Sequence, residues 1–145
     1  EMPTHTMITQ ACWWVIPDAV VDELGLDAVR LAGAAHGAEH TAIGLLPMFS
    51  PCDRWDVGGV STVMLPDTGA CTIVVHDGQS GGAGFAEAGF EKAEEWWHAT
   101  TMRLAQCACE SGCPACVVSP KCGNANQMLD KTAAATLTAA MDQLA

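Results

Sequence analysis

The sequence predicts a small single domain of mixed α/β (α+β) class: a short sheet with packed helices, and a cysteine-rich loop between the last two helices. Three observations carry this. Half of the 145 residues are hydrophobic, enough for one core and too many for a disordered chain. The β-branched run from Cys71 to His76 has the length and composition of a buried strand, while apolar residues before and after it recur at helical spacing. Five of the eight cysteines fall within the sixteen residues Cys107 to Cys122.

Taken in order, Ala11 to Ile16 reads as a short buried strand stopped by Pro17. Asp18 caps a short helix through Leu24, which Gly25 ends. From Leu26 to Leu46 the spacing is helical, with Val29, Ala32 or Gly33, His36, His40 and Ile43 along one face. Gly33, Gly37 and Gly44 each weaken that helix by about 1 kcal/mol, so close packing against another element is expected there. Pro47 closes it, and Phe49 to Thr62 reads as loop. Ser61 to Leu65 is a second strand candidate, and Pro66-Asp67-Thr68-Gly69 is a turn before the strand Cys71–His76. A glycine-rich turn then leads into one helix from Phe85 to Gln106, with Ala86, Phe90, Ala93, Trp97 and Leu104 inward. Trp96 and Trp97 are adjacent on it, so they are not expected to share one core; one should mark a contact surface. A last helix runs from Gln127 to Leu144, capped by Asn126, with Leu129, Ala133, Leu137, Ala140, Met141 and Leu144 as its apolar face.

Charge narrows the function classes. Seventeen acidic residues face six basic ones, a net charge of −11. Phosphate affinity is mostly Lys/Arg neutralisation and counterion release, so the charge argues against a free-standing nucleic-acid binder, and weak or no DNA binding is expected of the isolated domain. Adhesion to an anionic membrane is disfavoured for the same reason. No run approaches the roughly 18 apolar residues of a membrane span, and Glu1 to His5 lack the basic and apolar regions of a signal peptide, so a cytoplasmic protein is expected.

The cysteine spacing is C-x-C, C-x3-C, C-x2-C and C-x5-C through Cys107, Cys109, Cys113, Cys116 and Cys122. Staples in a secreted fold are spread along the chain, whereas a tetrahedral zinc ion gathers four thiolates from one or two tight turns. The competing reading is a redox Cys113-x-x-Cys116 pair, but such pairs open a helix with few other thiols nearby.

Three further constellations have two readings each. His36-Gly-Ala-Glu39-His40 matches the inverted zincin signature, with two histidine ligands and a glutamate base; packing of buried polar side chains is the alternative. The turn Asp77 to Gly84 can present Gly81, Gly82 and Gly84 amides to an anion or a DNA backbone, or simply connect strand to helix. Arg54 between Asp53 and Asp56 is expected to order its loop by an ion pair, or to face a partner.

Together, His36…Glu39-His40, Leu45-Leu46-Pro47, the run Cys52-Asp53-Arg54-Trp55-Asp56-Val57-Gly58-Gly59-Val60-Ser61-Thr62, and Asp77-Gly78…Gly81-Gly82-Ala83-Gly84-Phe85-Ala86-Glu87 resemble the C-terminal region of MrfA-type superfamily 2 DNA helicases. The ending Cys107-Ala-Cys109-Glu-Ser-Gly-Cys113-Pro-Ala-Cys116 through Lys121-Cys122-Gly-Asn to Leu129-Asp130-Lys131 is similar to that family's zinc-binding signature. The resemblance implies an accessory zinc domain on an ATP-dependent, 3′-to-5′ DNA-unwinding motor used in repair. Nothing here resembles Walker A or a D-E-x-H box, so residues 1–145 are expected to be a C-terminal accessory fragment, with ATP bound only by the absent motor. The expected partners are that motor, within the same parent chain, and DNA through the parent protein. One structural Zn2+ and no catalysis are expected in this chain. Cys109, Cys113 and Cys116 are three of its ligands; the fourth is Cys107, as in the family's compact pattern, or Cys122. Lys121 and Arg103 are expected to offset the net −2 charge of a four-thiolate zinc.

Overall fold

A computed structural model describes residues 6–120, 122 and 126–144. Its elements are β1 (Ala11–Ile16), α1 (Asp18–Leu24), α2 (Ala28–Leu45), β2 (Val57–Leu65), β3 (Ala70–Asp77), α3 (Phe85–Glu91), α4 (Ala93–Gln106) and α5 (Lys131–Asp142). Single 3-10 turns at Leu46–Met48 and Arg54–Asp56 lead from α2 to β2. The strands form one antiparallel sheet in the order β1-β3-β2, with the β-branched strand in the middle. The α+β class is the expected one.

Alternation places Cys12, Trp14 and Ile16 of β1 and Cys71, Ile73 and Val75 of β3 toward the helices. α2 runs along this face and is buried almost all round, which explains its run of small residues. The expectation of close packing holds: a Cβ on Gly37 would fall 3.1 Å from Ala134 Cβ and 3.2 Å from Val117 Cγ1. The expected apolar face does not hold at its first position, because Val29 is exposed and Leu31 is buried instead.

Both tryptophans of α4 are buried, contrary to expectation. The helix lies between two hydrophobic clusters: Trp96 joins Val57, Val75 and Leu46, while Trp97 joins Ile16, Ile73 and Leu137. Trp14 bridges them, with ring centroids 4.8 Å from Trp96 and 5.0 Å from Trp97. The indole N–H groups donate to Ala42 O and Thr138 O, which removes the cost of burying them. The exposed tryptophans are Trp13 and Trp55.

Other boundaries shift. β2 starts at Val57 and takes in Gly58 and Gly59, in place of the expected loop. The single helix expected from Phe85 breaks at Lys92, and Phe90 turns out to solvent. α5 starts at Lys131, where the Asp130 carboxylate accepts from Ala133 N. Asn126 is not its cap: its side chain accepts from Ser119 N and donates to Ser119 O, closing a turn at φ +61°. Leu144 is exposed. Among the described residues, no helix is long and apolar enough to cross a membrane.

Candidate metal centre

α4 ends where the cysteine loop begins, Cys107 N donating to Arg103 O. The chain doubles back through Gly112, whose φ of +128° suits a residue without a Cβ, into the turn Cys113–Cys116. Cys116, Val117, Leu104 and Ala134 form a third small hydrophobic cluster beneath the loop, with Leu129 against it. The core therefore fixes the loop from below, with Cys107, Cys109 and Cys113 packed against the same cluster.

Those sulfurs are Cys107, Cys109, Cys113 and Cys116. Their separations are 3.4 Å for Cys107–Cys113, 3.5 Å for Cys107–Cys109 and Cys109–Cys116, and 3.8 Å for Cys113–Cys116. Tetrahedral zinc with Zn–S bonds near 2.3 Å needs sulfurs about 3.8 Å apart. The cluster fits one zinc, and all eight cysteines are free thiols. Cys122 lies elsewhere, its Sγ 3.8 Å from His36 Nε2.

The charge partner of this loop is Lys131. Its side chain is buried, and its ammonium donates to Cys107 O at 2.8 Å and to Cys109 O. The same ammonium draws the Cys109 thiol down to about 6, and Cys109 in turn raises Lys131. Burial pushes Cys116 up to about 12. Zinc coordination replaces those protons, so the buried thiol depends on the metal for its ionisation. Lys121 lies outside the described residues, and Arg103 is exposed on the last turn of α4.

The remaining predicted residues divide into two places. His36, Glu39 and His40 project from α2 into a cleft of about 550 Å³, opposite Gly58, Gly59, Ser61 and His76 of the sheet. A Cβ on Gly59 would fall 2.6 Å from Glu39 Oε2, which is why β2 carries glycine here. Burial pushes the Glu39 carboxyl up to about 7, against a hydrogen bond from Ser61. Burial also lowers both histidines; in His40 the bond to Val117 opposes this, and the charges of His36 and Arg54 add to it. Asp53 and Asp56 order their loop through a reciprocal cap, Asp53 accepting from Trp55 N and Asp56 from Asp53 N. The Arg54 guanidinium lies over α2, where a Cβ on Gly44 would meet it at 2.7 Å.

The glycine-rich turn carries no vacant anion cradle. Gly81 N donates to Ile8 O, Gly82 N to Gln79 O, and Gly84 N to the Asp77 carboxylate. Asp77 also accepts from Ala83 N and Ala86 N, and so occupies the place an external anion would take.

Residues 38–117, more than half of the chain and inclusive of all four clustered cysteines, match the family model of the MrfA Zn-binding domain. The chain belongs to that family. It is 36% identical over 99 residues to an uncharacterized protein of Methanocaldococcus jannaschii, a match covering 66% of this chain and 88% of that protein. It is 32% identical over 119 residues to the uncharacterized ATP-dependent helicase YprA of Bacillus subtilis, covering 81% of this chain and 15% of the helicase. The crystal structure of DUF1998 helicase MrfA bound to DNA superposes with a TM-score of 0.62 at 26% identity, over 97% of this chain and 18% of that one. An MrfA Zn-binding domain thus spans most of one relative and a small part of the helicases it matches.

Sequence reasoning missed Lys131 and Asp77. Lysine in the first turn of a helix opposes the helix dipole, and that misfit was the available signal for Lys131. Replacing it (Lys131→Met) keeps most of the buried stem and removes the charge. The expected result is zinc held about 10–100-fold more weakly by the loop, read by competition with a chelating dye; unchanged affinity would remove Lys131 from the site.

Proposed function

We propose that this MrfA Zn-binding domain is the zinc-stapled accessory module of an ATP-dependent 3′-to-5′ DNA helicase of the repair class. Cys107, Cys109, Cys113 and Cys116 hold its structural ion. The observation that carries this is the coincidence of four sulfurs at zinc-fitting distances with a family match that contains all four. Four thiolates fill a tetrahedral shell, so the ion has no position left for substrate, and its role is to fasten the α4–α5 connection. The region recurs as a small part of much longer helicases, which supports a motor core in the same parent chain as the partner. Eight free thiols suit a reducing, cytoplasmic setting.

Net charge −11 and a glycine turn whose amides are engaged leave DNA contact to the parent protein. ATP is bound and hydrolysed by the motor. Expressing the whole parent protein tests this. Cys113→Ser should abolish ATP-dependent strand separation while DNA-stimulated ATP hydrolysis persists, because the module organises unwinding without supplying its energy. A parent protein lacking DNA-stimulated ATPase, or one unwinding normally after Cys113→Ser, refutes the reading.

A further inference from the structure

We propose that His36, His40 and Cys122 form a second metal site, separate from the four-cysteine loop, which takes a zinc-class divalent ion and leaves one coordination position open to the cleft. One ring nitrogen from each histidine and the Cys122 sulfur lie within 4.8 Å of one another. The measured His36 Nε2–Cys122 Sγ separation is 3.8 Å, against about 3.6 Å for two ligands of tetrahedral zinc with Zn–N near 2.0–2.1 Å and Zn–S near 2.3 Å. The two histidines sit one helical turn apart on α2, with ring centroids 4.3 Å apart.

The tautomer of His40 favours coordination. Its Nδ1 lies 2.7 Å from Val117 O. A carbonyl accepts only, so Nδ1 carries the hydrogen and Nε2 keeps its lone pair for a metal. Zinc-ligating histidines are commonly fixed in this way by a backbone carbonyl on the second nitrogen. The donor set, two imidazoles and one thiolate, is borderline-soft and selects zinc over calcium or magnesium.

Three protein ligands are the count of an open site rather than a closed one. The same cleft carries Glu39 and Ser61, so the open position takes water or a small anionic ligand among polar side chains. This is not the arrangement of an inverted zincin, because the third ligand is the Cys122 thiolate. His36 and Cys122 also lie outside the family match of residues 38–117, so the site does not rest on the four-cysteine reading. The two sites touch through one peptide: Cys116 belongs to the loop cluster, and the next carbonyl, Val117 O, orients His40.

Zinc stoichiometry of the whole chain, measured by native mass spectrometry after saturation and removal of weakly held metal, tests the proposal. Wild type should carry two ions. Cys122→Ser and His36→Ala should each carry one, and in both the remaining ion should resist chelation as the four-thiolate site does. Since His36→Ala can disturb α2, Co2+ titration of the wild type is a second readout. The second equivalent should add absorption bands of a mixed nitrogen–sulfur site to those of the four-thiolate site. A wild type that saturates at one ion, with only four-thiolate Co2+ bands, overturns the proposal; so does retention of two ions in Cys122→Ser.

Discussion

Chelating zinc from the four-cysteine loop is expected to lower Tm by about 12 °C and to loosen the molecule at one end only. An ion present at about 1,000-fold its Kd stabilises the state that binds it by about 4 kcal/mol, and each kcal/mol is worth about 3 °C in a domain of this size. Besides the metal, the loop is held by the Lys131 bonds to Cys107 O and Cys109 O and by one small cluster. Its cluster contains only four buried residues, Leu104, Cys116, Val117 and Ala134, whereas the two larger clusters rest on the sheet, α2 and α4. Without metal, Cys116 is a buried thiol, and no ion holds its sulfur against the other three. Hydrogen exchange should therefore accelerate over residues 107–120 and at the start of α5, while β1, β3 and the centre of α2 keep their protection. Cys113→Ser should reproduce the pattern at any zinc concentration. Uniform loss of protection would mean that the ion supports the whole core; unchanged Tm would mean that it supports none of it.

What the sequence revealed follows from whether a neighbour in the chain or a neighbour in space decides each residue. β1 is legible to the residue because Pro17 stops it, and the end of α1 because Gly25 takes φ +65°, although Asp18 is the first residue of that helix and not its cap. β2 was half missed because Gly58 and Gly59 carry no strand preference; they are glycine because His76 and Glu39 lie against them. The break at Lys92 has no proline to announce it; the nearest glycine, Gly89, sits inside α3, and Lys92 N donates to its carbonyl. Trp96 and Trp97 defeated helical-face reasoning because α4 has core on two sides, which only the fold supplies. At the metal loop, spacing alone separated Cys113 and Cys116 from the rest, yet left Cys107 and Cys122 as rivals. They part because Cys107 closes α4 beside its partners, while Cys122 comes to rest against α2.

Asp77→Ala is expected to cost on the order of 4 kcal/mol, more than any surface change in the chain. The carboxylate is fully buried and accepts three backbone hydrogen bonds, from Ala83 N at 2.6 Å, Gly84 N at 2.9 Å and Ala86 N at 2.8 Å. Removing the acceptor leaves these donors to find water or break, at about 1–3 kcal/mol each, with partial relief as the turn relaxes. The same residue ties the end of β3 to the segment before β1, Asp77 N donating to Gln10 O and Asp77 O accepting from Thr9 Oγ1. Loss should therefore spread into the sheet edge and the start of α3. Asp77→Asn separates charge from shape: one of its two terminal atoms becomes a donor facing donors, so at least one of the three bonds is lost even with the side chain in place. Urea unfolding should place Asn between wild type and Ala, with m unchanged. Inorganic phosphate should leave hydrogen exchange at Ala83, Gly84 and Ala86 unmoved, since the amides that would bind it already hold Asp77. An Asn variant as stable as wild type would show that the carboxylate charge contributes nothing to this turn.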